Sequence, residues 1–143
     1  MPALTTLYDS RVKALLAAAV KIDGIKVALI SSAYTFNAAH TSFTDDVEAD
    51  EISGTNYVAG GAAVTNITLS DTALDFDDAV FTNVTFTARY AVFYIPTTID
   101  GVAKPVLCAV LLDDTPADIN VTGSNFSISI PAAGFDTYTQ SVV

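Results

Sequence analysis

Hydrophobic positions near the start of the chain repeat at helical spacing. Tyr8, Val12, Leu15, Leu16 and Ala19 form one stripe, with Asp9, Arg11 and Lys13 off it. Thr5 or Thr6 can cap the amino end, Lys21 lies near the negative end of the dipole, and Gly24 supplies a stop. The pattern predicts one amphipathic helix over residues 5–22. Arg11 to Val20 has the basic-then-apolar order of a secretory leader, but Lys21 and Asp23 follow it directly, and the helix accounts for it better.

After Gly24 the period becomes two. Ile25, Val27 and Leu29 alternate with Lys26, Ala28 and Ile30, which predicts a strand with one clearly apolar face. Residues 32–54 read as irregular. Short strands are expected over Tyr57–Val64, with a bend at Gly60-Gly61, and over Asn66–Leu69 and Leu74–Phe81. Val84 to Ile95 is the longest strand signal, dense in Val, Phe, Thr and Tyr, and Pro96 ends it. Val106–Leu112 is apolar at every position, so it is expected in the middle of a sheet, and Asp113-Asp-Thr-Pro116 breaks it. Phe126, Ile128 and Ile130 alternate with Asn125, Ser127 and Ser129 as a last, half-buried strand. Many short strands with turn signals between them predict a mainly β fold: an antiparallel β-sandwich or barrel preceded by one helix. No repeat or linker divides residues 1–143, so a single domain is expected, with the β part over about residues 25–138.

Composition narrows the partners. The chain is 51% hydrophobic and 15% charged, with a formal net charge of −10. Soluble domains average roughly 25% charged residues, so this surface is expected to be covered partly by neighbours. Six basic residues against sixteen acidic ones disfavour nucleic acid. The apolar runs Ala14–Val20 and Val106–Leu112 fall short of a membrane span.

Candidate chemistry is sparse. His40 is the one histidine, in a polar stretch where a solvated loop residue is expected, so no cluster or triad built on several histidines is available. Cys108 lies inside an apolar strand and is expected to be buried and inert. The acidic run Asp45, Asp46, Glu48, Asp50 and Glu51 invites a calcium reading, but it lacks the alternate spacing and the glycine of a calcium loop. With Val47 and Ala49 it reads instead as a short amphipathic turn with a solvated acidic face. Asp75, Asp77 and Asp78 read as the solvent side of a strand. The sequons at Asn66, Asn83, Asn120 and Asn125 are expected by chance in a Thr-rich β sequence. No catalytic, cofactor or metal residue is assigned, and an enzyme is not expected. A carbohydrate-binding module would need an aromatic platform, for which Tyr34, Tyr57 and Tyr138 are the candidates.

Longer stretches are more distinctive. Ile25-Lys-Val-Ala-Leu-Ile-Ser-Ser-Ala-Tyr-Thr35, Phe43-Thr-Asp-Asp46 and Glu51-Ile-Ser-Gly-Thr-Asn-Tyr-Val-Ala-Gly-Gly61 resemble a family of small tailed-bacteriophage virion structural proteins. Phe86-Thr-Ala-Arg-Tyr-Ala-Val-Phe-Tyr94 and Asn125-Phe-Ser-Ile-Ser-Ile130 are similar to that family's long strand and last strand. The chain departs from the pattern in having no tryptophan near Phe81–Phe86 and in its aspartate-rich insertions. The resemblance implies a virion protein, first a capsid decoration or cement protein on the head surface, second a tail, neck or fibre component. It further implies assembly in the host cytoplasm, the major capsid protein as partner, and a homo-oligomer, expected as a trimer. It implies no cofactor, no nucleic acid and no membrane.

Overall fold

The computed structural model describes residues 24–69, 73–113, 115, 117–129 and 136–137. The helix expected over residues 5–22 lies outside them. What is described is mainly β and antiparallel throughout. The strands are β1 (Lys26–Ile30), β2 (Ala62–Ala63), β3 (Thr68–Leu69), β4 (Ala73–Asp75), β5 (Ala79–Ala88), β6 (Tyr90–Tyr94), β7 (Val106–Leu111), β8 (Ile119–Ile128) and β9 (Asp136–Thr137). One short helix, α1 (Phe43–Asp46), and a 3-10 turn over Glu48–Asp50 lie between β1 and β2. Four strands form a sheet in the order β2-β1-β6-β7, β5 pairs with β8, and β3-β4-β9 make a small third sheet.

The four-stranded sheet has a core on each face. Ile25, just before β1, Val27 and Leu29 of β1, and Ala91 and Phe93 of β6 point to one side, where they meet Phe81, Val84, Phe86 and Ala88 of β5 and, partly buried, Val121 and Phe126 of β8. This is the sandwich interior, and Phe126 packs edge-on to Phe86 with ring centroids 5.2 Å apart. Ala28, Ile30, Val92 and Tyr94 point the other way, onto Tyr34, Phe43 and Val47 of the segment carrying α1. Phe43 stacks on Tyr94 at 4.1 Å. The alternation Ile25/Val27/Leu29 therefore marks one face of β1, as expected, but the second face is buried as well.

The expected strand from Val84 to Ile95 is two strands in two sheets. It breaks at Arg89, whose N–H donates to Ile30 O at 2.8 Å, whose carbonyl accepts from Leu112 N at 3.0 Å, and whose Nε meets Asp118 Oδ1 at 2.9 Å. The chain turns a corner between layers there, which is how one strand can serve both sheets of a sandwich. Val106–Leu112 is not central either. Among the described residues β7 pairs only with β6, so it ends the four-stranded sheet, and its residues are half-buried. An apolar strand signals coverage, not position in the hydrogen-bonded order. The stretch Leu74–Phe81 likewise divides, its first residues in β4 and its last in β5. Of Tyr57–Val64 only Ala62–Ala63 is a strand, and the last predicted strand is the end of a longer one, β8.

The β5–β8 ladder carries two offsetting bulges. Phe81 faces Phe126 and Val84 faces Ser124, so β5 has one extra residue; Phe86 then faces Val121, so β8 has one extra in turn. Asn83 takes a left-handed φ of 50° at the first and Gly123 a φ of 55° at the second. An unpaired bulge leaves backbone groups without a ladder partner. Here Asn83 N–H donates to Asn125 Oδ1 at 2.8 Å, Asn56 Nδ2 donates to Asn83 O at 2.8 Å, and Gly123 N–H donates to Thr85 Oγ1 at 2.9 Å. All four sequon asparagines thus have structural bonds: besides Asn83 and Asn125, Asn66 Nδ2 donates to Asp77 Oδ2 at 2.6 Å and Asn120 Oδ1 accepts from Thr87 Oγ1 at 2.7 Å. Asp113 stops the chain after β7 as expected, its Oδ1 accepting both the N–H and the hydroxyl of Thr115.

Gly61 shows how tightly β2 is placed. Its φ is 79°, and a Cβ there would collide with the Val27 carbonyl of β1. Gly101 has the same φ of 79° in the Asp100-Gly101 hairpin turn but open space around it. Gly101→Ala should cost about 1 kcal/mol for the left-handed backbone, and Gly61→Ala about 3 kcal/mol or more because the collision adds to that strain. Urea unfolding of the two variants measures the difference.

Candidate functional site

The acidic run is distributed, not convergent. Ser42 caps α1 with Oγ accepting from Asp45 N–H at 3.2 Å, while the same hydroxyl donates to Ala103 O at 2.6 Å. Asp46 reaches back, and its Oδ2 accepts from the N–H groups of Ser42 and Thr41, both at 3.0 Å. Those two N–H groups, Ser42 first, hold its carboxyl below the usual carboxylate range. Glu48 Oε1 lies 3.2 Å from Lys104 Nζ. Phe43 and Val47 are buried beneath and Asp45 is exposed, which gives the turn two faces, but Ala49, expected with Val47 on the apolar side, is exposed.

Glu51 departs from the solvated reading. Its Oε1 accepts the Tyr57 hydroxyl at 2.7 Å and the Gly60 N–H at 2.7 Å. The Tyr57 oxygen in turn accepts from Leu29 N–H of β1 at 2.9 Å, and the Tyr94 hydroxyl donates to Gly60 O at 2.6 Å. One carboxylate therefore organises the loop that lies along β1. Burial, then the bond to Glu51, pushes the Tyr57 phenol far above its ordinary value; burial, then the Glu51 charge, pushes Tyr94 up to about 12. Sequence spacing gave no sign of this group, because Glu51 and Tyr57 meet only when the intervening turn closes.

A concavity lies on the face of the four-stranded sheet that carries Tyr34, Val47 and Val92. It is a cleft of about 510 Å³ between the segment Tyr34–His40 and the start of β7, with Val47, Val92 and Ala109 among its lining. His40 is half-buried, not solvated, and its Nδ1 is 3.0 Å from the Tyr34 hydroxyl. Burial first, then the nearby Asp46 charge, raises the Tyr34 phenol. Cys108 also lines the cleft and is half-buried rather than buried. Phe36 stands at the rim with 57% of its surface exposed. Tyr34 and Tyr57 pack into opposite cores and share no platform, and Tyr138 lies outside the described residues. Among the described residues no three His, Cys, Asp or Glu side chains are grouped to hold a metal ion, and no helix is long and apolar enough to cross a membrane.

Two pH responses follow. Tyr94 keeps its proton to about 12 when folded but loses it near 10 when unfolded, so its contribution is complete below pH 10 and is lost as pH rises towards 12. Stability should be level from pH 7 to 9 and fall steeply above 10. Tyr57→Phe, which strips Leu29 N–H and Glu51 of a partner, should cost about 1–3 kcal/mol at neutral pH. At the acid end the lowered Asp46 carboxyl contributes above the usual carboxylate pKa and ceases to as pH falls through its folded value. Asp46→Ala should therefore be less stable than wild type at pH 7 and equal to it once that carboxyl is protonated. Denaturant midpoints against pH check both. Comparison with protein-family models, with characterised proteins and with solved structures finds no match to this chain.

Proposed function

We propose that this chain is a structural protein of a tailed-bacteriophage particle, a decoration protein that binds the major capsid protein on the head surface and stabilises the shell as a homo-oligomer, expected as a trimer. The observation that carries the reading is where the resembling segments fall. Ile25–Thr35 contains β1, Phe86–Tyr94 contains the corner at Arg89, and Asn125–Ile130 contains the end of β8. These three lie in the frame of the sandwich, while Phe43–Asp46 is α1 and Glu51–Gly61 is the loop along β1, which supports a likeness of architecture over most of the resembling segments. The candidate polar residues support the same reading: Asp46, Glu48 and Glu51 are engaged in capping, pairing and bracing this chain. A low share of charge suits contact with neighbours, since charged groups are depleted from interface centres. An oligomer touching several capsid subunits would gain effective concentration without strong single contacts.

A tail, neck or fibre component is the second reading, and copy number separates the two. Quantitative mass spectrometry of purified particles should find this chain at on the order of hundreds of copies if it decorates the head, where quasi-equivalent positions are abundant, and at tens or fewer if it belongs to the tail. Absence from the particle overturns both.

A further inference from the structure

The two edges of the four-stranded sheet are finished differently. Along β1, beyond the two residues paired with β2, the outward groups are satisfied: Leu29 N–H by the Tyr57 hydroxyl, Leu29 O by Ile52 N–H, and Ser31 N–H by Asp50 O. Along β7 the covering stops early. Thr41–Phe43 runs beside its start, with Val106 N–H donating to Thr41 O at 3.0 Å and Phe43 N–H to Lys104 O at 2.8 Å. After Val106 the register with β6 slips by one residue at Leu107, and the chain before Thr41 turns away. Leu112 N–H donates to Arg89 O, so in an antiparallel ladder Val110 faces β6, whereas Ala109 and Leu111 aim their N–H and C=O groups outward. Among the described residues no strand pairs with that side.

The open stretch is uniformly apolar, Val-Leu-Cys-Ala-Val-Leu, without the lysine or proline that proteins commonly place on exposed edges. The cleft lies directly beside it, with Val47 and Val92 in its floor and the exposed Phe36 at its rim. Among the described residues its lining contains no Lys or Arg, while the acidic turn that contributes Val47 brings Asp46 and Asp50 close enough to act on Tyr34 at the cleft wall. Lys104, just before β7, is paired with Glu48.

We propose that β7 and the adjoining cleft form a docking site for an extended partner segment of apolar and cationic residues, which adds as a strand along Ala109–Leu111 and sets alternate side chains into the cleft. Main-chain bonds to the edge supply affinity, and side chains in the groove supply selectivity. The charge decides the occupant. A second copy of this chain would bring a further net charge of −10 to a site that has Asp46 and Asp50 close by, whereas a Lys- or Arg-bearing segment is attracted to it. The inference rests on strand order and charge and is independent of the particle reading, so the copy count can fail without touching it.

A random peptide library displayed on yeast and selected on the full chain tests it. Enriched peptides should alternate apolar residues and carry Lys or Arg, and a synthetic enriched peptide should protect the amides of Ala109 and Leu111 from hydrogen exchange. Ala109→Pro removes an outward N–H without touching the β6 ladder and should weaken that peptide at least about tenfold, as should Glu in place of its basic residues. Phe36→Ala, at an exposed side chain, should weaken it several-fold while leaving the unfolding midpoint unchanged, which keeps the test valid if the proline variant does not fold. No enrichment, enrichment without basic residues, or equal binding to wild type and Phe36→Ala overturns the proposal. So does sedimentation showing a dimer that Ala109→Pro dissociates, which would make a second copy the occupant.

Discussion

Arg89 is the point on which both layers depend. Its backbone N–H is committed to β1, its carbonyl receives the residue after β7, and its guanidinium reaches Asp118 at the entry to β8. One residue thus ties the four-stranded sheet to the β5–β8 ribbon, and the direction in which the chain leaves it determines that the two pack face to face. The ion pair itself is half-exposed and worth only about 0–1 kcal/mol. The constraint lies in the backbone: Arg89 N–H and C=O are held on the β1 and β7 sides of the four-stranded sheet, so the chain that precedes Arg89 leaves that sheet at a fixed point. Once the layers are set, Phe81, Phe86 and Phe126 from the ribbon close onto Val27, Leu29 and Phe93 of the sheet.

That corner was only half legible in the sequence. The mainly β class, the strand after Gly24, the breaks at Pro96 and Asp113, and the buried Val47 under an acidic turn all follow from local period and turn chemistry, which act over a few residues. What failed was continuity. From Val84 to Ile95 the residues favour strand throughout, and propensity is silent about a switch of partner. Arg89 is itself the signal, a lone charge in an apolar run, although a charge there reads equally well as a solvent-facing strand position. The same blindness put Val106–Leu112 in mid-sheet. Its apolar character is real, but hydrophobicity reports whether faces are covered, not whether an edge is paired.

The site features divide along the same line. Asp46 capping Thr41 and Ser42 is local, within one turn, but the capping-box spacing from Ser42 points to Asp45, and it is the next residue that reaches back. The Glu51 brace and the contact of His40 with Tyr34 depend on how loops fold back, and spacing alone points to solvated residues in both cases. A carboxylate inside an acidic run has the same one-letter environment whether it faces water or accepts a tyrosine hydroxyl and an amide. Only closure of the Gly60-Gly61 turn, which brings Gly60 N–H to Glu51, distinguishes them.

The asymmetry of the two sheet edges then follows from where hydroxyls and loops were available. Beside β1 the loop after Glu51 supplies Ile52 and Tyr57, so an edge that would otherwise invite pairing is capped from within, and the cost is a phenol that cannot ionise until strongly alkaline pH. Beside β7, among the described residues, the chain covers only Lys104–Val106 before turning into the cleft wall at His40. A fold that wanted a closed second edge had the means one turn away, since three more residues in line with Thr41 would have paired Ala109. Instead the chain bends outward and leaves Phe36 in solvent above an apolar floor. An apolar sheet edge unpaired among the described residues and an exposed aromatic are separately unfavourable in water, and their adjacency is what the proposed partner segment would relieve at once.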